Sequence, residues 1–260
     1  MRALRGLLLA VSAAGAGRAQ EAPICTDRPA KANAVCTVPA GRIQIETGGI
    51  SWSLTERGGA RTELLTIGAS VAKLGLSERS DLQVGFTPYA ELRTLNGLQS
   101  RVSGIGDLVV RYKHRLSGAD APVQVAAIPF VKLPTAADGL GNDRVEGGLA
   151  IPISFALFGP VTMTLGPELD LLADADGNGR HIALVNLVNV SAPIAPRLTL
   201  AAEFWTNLNF DPDRTAEQAS FDTAIAYAVS SNLQLDLGAN IGLTRDTPDF
   251  EGYAGVSLRF

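Results

Sequence analysis

From Arg42 to Phe260 the chain alternates apolar and polar residues with period two, in run after run divided by turn-forming residues. Successive side chains of a strand point to opposite faces, so each run builds one apolar and one polar face. The clearest run sets Leu233, Leu235, Leu237, Ala239, Ile241 and Leu243 opposite Gln234, Asp236, Gly238, Asn240 and Gly242. Ile182, Leu184, Val188 and Val190 share one parity, as do Leu198, Leu200, Ala202 and Phe204. A soluble barrel or sandwich would turn the apolar face inward. The polar faces here carry many charges and amides, but alternation alone does not settle which face meets lipid.

Twelve runs are expected, near 42–54, 62–72, 81–92, 105–116, 122–133, 144–157, 161–172, 181–192, 197–208, 218–229, 233–244 and 252–260. The number is even, as in bacterial outer-membrane barrels, and each run is long enough for a tilted crossing of about 9–11 residues. The connections 117–121, 158–160, 193–196 and 230–232 are short, whereas 93–104, 134–143, 173–180, 209–217 and 245–251 are longer and polar. Short turns on one side and long loops on the other are the asymmetry of a membrane barrel; a sandwich has no reason to show it. The predicted fold is all-β, a transmembrane antiparallel up-and-down β-barrel over 42–260.

Two stretches test that reading. Gly147 to Pro167 is uncharged and long enough to cross a bilayer as a helix, but Pro152, Gly159-Pro160 and Pro167 interrupt it. An interior proline costs a helix about 3 kcal/mol and Gly-Pro suits a hairpin, so the stretch reads as two strands. Run 122–133 is ambiguous: Ile128 and Phe130 lie on one parity, Val125, Ala127 and Val131 on the other.

The N-terminal end reads as an export signal over residues 1–19. Arg2 and Arg5 precede the apolar Leu7-Leu8-Leu9-Ala10-Val11, and Gly17-Arg18-Ala19 is a small-x-small cleavage site before Gln20. The apolar run is far below the ~20 residues of a membrane-spanning helix. Cleavage would remove Arg2, Arg5 and Arg18 and no acid, moving the formal charge from −4 to −7. That mild acidity argues against a nucleic-acid partner. Cys25 and Cys36, the chain's two cysteines, lie in the following segment, 20–41. In an exported chain they are expected to form a disulfide; the segment itself is expected to be periplasmic, with its role and any plugging of the barrel open.

At the other end Ala254, Val256, Leu258 and Phe260 share one face, and Gly255, Ser257 and Arg259 the other. An apolar-faced last strand ending in phenylalanine resembles the closing strand of bacterial outer-membrane proteins. That resemblance implies Tyr253, Val256, Leu258 and Phe260 as the signal for the barrel-assembly machinery. Tyr112, Phe158, Tyr227 and Phe260 fall near short-turn ends, and Trp52, Tyr89, Phe204 and Tyr253 near long-loop ends, as two interfacial girdles would.

Three segments in succession carry a more specific resemblance: Thr26-Asp27-Arg28-Pro29 with Val38-Pro39-Ala40-Gly41-Arg42-Ile43-Gln44-Ile45-Glu46; Gly104-Ile105-Gly106-Asp107 running into Tyr112-Lys113-His114-Arg115-Leu116; and Val131-Lys132-Leu133-Pro134-Thr135. Together they resemble the family of outer-membrane transporters named for the meta-pathway of phenol degradation. The resemblance implies a barrel that passes small molecules, with no cofactor; it does not establish a phenolic solute. The cysteine pair is no part of the family pattern.

With the apolar parity on lipid, the opposite parity lines the lumen. Arg111, Lys113, Arg115, Lys132 and Arg144 then form a basic wall, and Glu168, Asp170, Glu203, Asp222 and Asp236 an acidic one. Such a transverse field orients polar solutes and sets selectivity in a pore; the competing reading has these charges pair across a plugged lumen. Asp174, Asp176, Asn178 and Gly179 open like a calcium loop, but position twelve is Val185 and no helices flank the run, which favours a polar outer loop. The chain is expected not to be an enzyme. His114 and His181 are its only histidines, and neither sits in a G-x-S-x-G or H-E-x-x-H pattern. The expected function is passive transport of small anionic or aromatic solutes across the outer membrane, in contact with outer-membrane lipid and lipopolysaccharide. A closed structural or receptor barrel is the alternative, and an outer-membrane lipid hydrolase a weaker one.

Overall fold

The computed structural model describes residues 23–260, so the expected signal segment lies outside the described residues. The strands form twelve staves. The first two are β1 (Ile43–Arg57) and β2 (Ala60–Ser77). The third and fourth are each split, into β3 (Ser80–Phe86) with β4 (Tyr89–Asn96) and β5 (Leu98–Gly104) with β6 (Leu108–Arg115). After β7 (Val123–Leu133) come two more split staves, β8 (Glu146–Ala150) with β9 (Ile153–Phe158) and β10 (Val161–Leu165) with β11 (Glu168–Ala173). The last five are β12 (Arg180–Ala195), β13 (Leu198–Asn209), β14 (Ala216–Ala228), β15 (Leu233–Gly242) and β16 (Phe250–Arg259). Three of the four interruptions hold a proline, Pro88, Pro152 or Pro167, which has no N–H to give the ladder.

Each stave pairs antiparallel with its neighbours, and β1 pairs with both β2 and β16, from Gln44↔Arg259 to Leu54↔Phe250. The sheet is therefore a closed barrel. Closure pairs both edges of every strand except β5, which pairs with β4 alone, and paired edges are the condition for a sheet to lie in hydrocarbon. It also shows which face is which. Leu237 is 54% exposed while its neighbour Asp236 is 6%, and the same contrast separates Leu258 from Arg259 and Tyr112 from Lys113. The apolar faces point outward and the charged faces inward, the inverse of a soluble protein.

Closure also resolves β7. Ala126 and Ile128 are fully buried on the inward parity with Gln124, Phe130 and Lys132, while Val123 and Val131 face out. The inner wall on this side is thus largely apolar.

Three expectations need correction. The expected loop 93–104 is a hairpin of β4 and β5, turning tightly at Gly97 with φ 73°. Arg144 lies in the loop before β8, exposed, its guanidinium on the Gly177 carbonyl, and so is not on the lumen wall. Tyr89 and Tyr253 point inward, where Tyr89 donates to Glu91 and Tyr253 stacks near Arg28, so neither joins an outer girdle and Tyr253 is not on the apolar closing face. Residues 24–38, whose place the sequence left open, lie inside the wall at the short-turn end, where the Ile24 N–H bonds Ser231 and the Thr37 hydroxyl bonds Glu78.

Candidate functional site

The site is the lumen, and the N-terminal segment occupies it. The Cys25–Cys36 disulfide, with Cα atoms 6.2 Å apart, ties residues 25–36 into a loop. The loop spans the barrel from one wall to the other, and its charges are complementary to the wall on each side.

On the β2–β6 side the wall presents Lys73 and Lys113, both almost fully buried. Asp27 bonds both, its carboxylate 2.5 Å from Lys73 and 2.7 Å from Lys113. Lys113 also donates to the Ala34 carbonyl, Lys73 pairs with Glu46, and Arg111 donates to Asn33. On the β13–β15 side the wall presents Glu203, Asp222 and Asp236. Arg28 binds Asp236 through two parallel contacts, 2.7 and 3.2 Å. Lys31 reaches Asp222 at 2.5 Å and lies over the Trp205 ring, and the N–H groups of Lys31 and Ala32 both donate to Glu203. Paired, hydrogen-bonded charges are tolerated where isolated ones are not, and breaking such a pair costs about 3–5 kcal/mol. The transverse field of the empty wall is thus matched by the segment that fills it.

Glycines make room for this docking. A Cβ on Gly75 would lie 2.0 Å from the Pro39 carbonyl oxygen, and one on Gly255 would lie 2.3 Å from the Arg28 guanidinium. Backbone crosses Gly75, so no larger residue fits there without moving the segment.

Beyond the segment, toward the long loops, lies a luminal cavity of about 470 Å³ with Arg28, Val71, Val109, Arg111, Phe130 and Glu168 on its walls. It combines two guanidinium groups and the carboxylates of Asp107 and Glu168 with a phenyl ring. Lys132 sits above, paired with Asp107 and Glu146, and Asp170 lies beside Glu146 and Glu168 on the inner face. A smaller space of about 280 Å³ runs between the segment and the short side chains of Thr164, Ser191, Thr199 and Ala224. Arg115 is bound to the Glu78 carbonyl near the short turns.

Sequence reasoning missed Lys73 on the wall, placed Arg144 there wrongly, and missed the partners of the wall charges. Asp27, Arg28 and Lys31 stood in a segment with no alternation to orient it, and Trp205 fell on the polar parity of its strand. The calcium-like run is a tight hairpin, closed by the Gly177 N–H to Asp174 O and the Asp174 N–H to Gly179 O. Its Asp176 takes the Asn178 N–H, while Asp174 turns to His181 at 2.8 Å. His114 faces outward, stacked on Tyr112. Among the described residues neither histidine hydrogen-bonds a serine hydroxyl.

A closed antiparallel barrel with an apolar exterior and a charged lumen defines a membrane-spanning β-barrel protein. Residues 26–260 match the family model described as "Putative MetA-pathway of phenol degradation", and the chain belongs to that family. The fold resembles the COG4313 outer membrane channel from Pseudomonas putida F1, with a TM-score of 0.67 at 17% identity, covering 87% of this chain and 98% of that one. It also resembles the translocator domain of autotransporter NalP from Neisseria meningitidis, with a TM-score of 0.52 at 13% identity, covering 86% and 90%. No curated protein sequence matches the chain.

Proposed function

We propose that this barrel is an outer-membrane channel for passive passage of small anionic or aromatic solutes, closed in the present conformation by residues 24–38. The observation that carries the reading is the 470 Å³ luminal cavity, where Arg28 and Arg111 meet Phe130. Guanidinium groups bind carboxylates through charge-assisted hydrogen bonds, and an aromatic ring stacks on a phenyl or a guanidinium plane. The dimensions suit one small ring compound. The similar channel from Pseudomonas putida supports a transport role, and the apolar exterior supports contact with lipid and lipopolysaccharide. The short turns would then face the periplasm and the closing strand would engage the assembly machinery.

Planar-bilayer recordings test this. Full-length protein should conduct weakly and be blocked by benzoate better than by phenol or a neutral sugar. Protein lacking residues 24–38 should conduct several-fold more and, having lost Arg28, be blocked less by benzoate. The docked segment itself favours a second reading, a closed structural or receptor barrel. Absence of conductance from both proteins would establish that reading and overturn the first.

A further inference from the structure

The long-loop end of the barrel carries a second cluster that the transport reading does not use. Asp174, at the start of the β11–β12 hairpin, and Asp211, in the β13–β14 loop, both face the Nδ1 atom of His181, the second residue of β12. The carboxylate oxygens stand 2.8 and 3.6 Å from that nitrogen. The three side chains are 15%, 12% and 6% exposed. One oxygen of each carboxylate and the imidazole nitrogen lie within 4.8 Å of one another.

The charges in this cluster do not balance. The N–H groups of Ala175 and Asp213 donate to Asp211. Arg180 and Arg214, the nearest guanidiniums in sequence, bind the Val145 carbonyl and Asp246, and Arg144 binds the Gly177 carbonyl. Among the described residues, His181 is the one ionisable base that meets either carboxylate. A single Nδ1 proton serves one carboxylate at a time. The ring's other nitrogen is buried without a partner. Two nearly buried carboxylates and a nine-tenths-buried imidazole therefore converge on a point that no protein cation fills.

We propose that Asp174, His181 and Asp211 form a binding site for a divalent transition-metal ion of the zinc class. One imidazole and two carboxylates suit such an ion, and water from the exterior completes its coordination. Calcium, which prefers six to eight oxygen ligands, fits a three-residue site with a nitrogen ligand poorly. Because Asp211 comes from a different loop than Asp174, a bound ion would tie the β11–β12 hairpin to the β13–β14 loop.

The test uses full-length, metal-stripped protein in detergent, titrated with Zn²⁺ by calorimetry and with Co²⁺ by visible absorption. Heat-modifiable migration verifies that each variant is folded. The wild type should bind one equivalent, calcium should compete poorly, and trypsin cleavage after Arg214 should slow on Zn²⁺ addition. His181→Asn and Asp211→Asn should each weaken binding at least tenfold and abolish that protection, while His114→Ala and Asp176→Asn change neither. Absence of saturable binding by the wild type overturns the proposal. So does binding that survives His181→Asn and Asp211→Asn, or that His114→Ala removes.

Discussion

Asp27 is the residue on which the docked segment turns. Its two carboxylate oxygens are divided between Lys73 and Lys113, two lysines from different staves that are 2% and 1% exposed. Lys73 keeps Glu46 if Asp27 is neutralised, but Lys113 then has only the Ala34 carbonyl and its neighbours for support. Asp27→Asn should weaken docking by about 3 kcal/mol, roughly a hundredfold in the docking equilibrium. The check is limited trypsinolysis after Lys31, whose cleavage should accelerate in the variant while the barrel keeps its heat-modifiable migration. Unchanged cleavage would mean that the segment is held by its other contacts. None of this could be read from the sequence around Asp27. Arg28 and Asp236, 208 positions apart, form one bidentate pair, and no periodicity links residues that distant. The inward turn of Tyr89 and Tyr253 was hidden for another reason: an aromatic side chain satisfies a girdle and a lumen equally well, so only parity separates them.

At the scale of elements, legibility followed the chemistry of the faces. β15 was readable because its inward residues are amide, carboxylate and glycine, and its outward ones are leucine, isoleucine and alanine. β7 was not, because Ala126, Ile128 and Phe130 line the lumen with apolar surface, so both of its faces look alike. The loop expected at 93–104 failed because β4 and β5 carry polar residues on both parities, Arg93 with Thr94 and Ser100 with Arg101, so the alternation is lost there. Two elements yield predictions. The disulfide closes a short loop and contributes about 2–3 kcal/mol, all of it within the docked segment. Reduction, or the Cys25→Ser, Cys36→Ser pair, should therefore leave the barrel's thermal unfolding unchanged and raise its conductance. Phe260 extends the ladder that holds the closing strand to the first: its N–H donates to the Ile43 carbonyl while its ring is outward and 57% exposed. Phe260→Ser should keep that backbone bond yet remove the outward ring, and so lower the folded fraction recovered from outer membranes. Normal recovery would show that closure needs only the ladder.

The whole molecule is a charged tube balanced by its own N-terminal segment, and this changes what a pore experiment can show. Arg111, Lys113 and Arg115 recur on one face of β6, and from the sequence they should act together as a basic stripe. In the structure each has an occupant: Asn33 for Arg111, Asp27 for Lys113 and the Glu78 carbonyl for Arg115. Across the lumen Arg28, Lys31 and two backbone N–H groups cover Asp236, Asp222 and Glu203 in the same way. A passing solute in the closed state therefore meets paired charges, whose field falls off steeply compared with that of a bare stripe. Removing residues 24–38 takes away one anion and two cations, and leaves Lys73, Arg111 and Lys113 facing Glu203, Asp222 and Asp236. Arg111→Glu with Lys113→Glu should then shift selectivity strongly toward cations in protein lacking the segment. In the full-length protein the same pair should act differently: a carboxylate in place of the Lys113 ammonium would face Asp27, like charges in a buried site, and the segment should be expelled. The signature is a rise in conductance accompanying the selectivity shift, measured by reversal potential in a salt gradient. If both backgrounds show the same selectivity and the same conductance change, the segment does not govern the pore and the balance of charges is structural only.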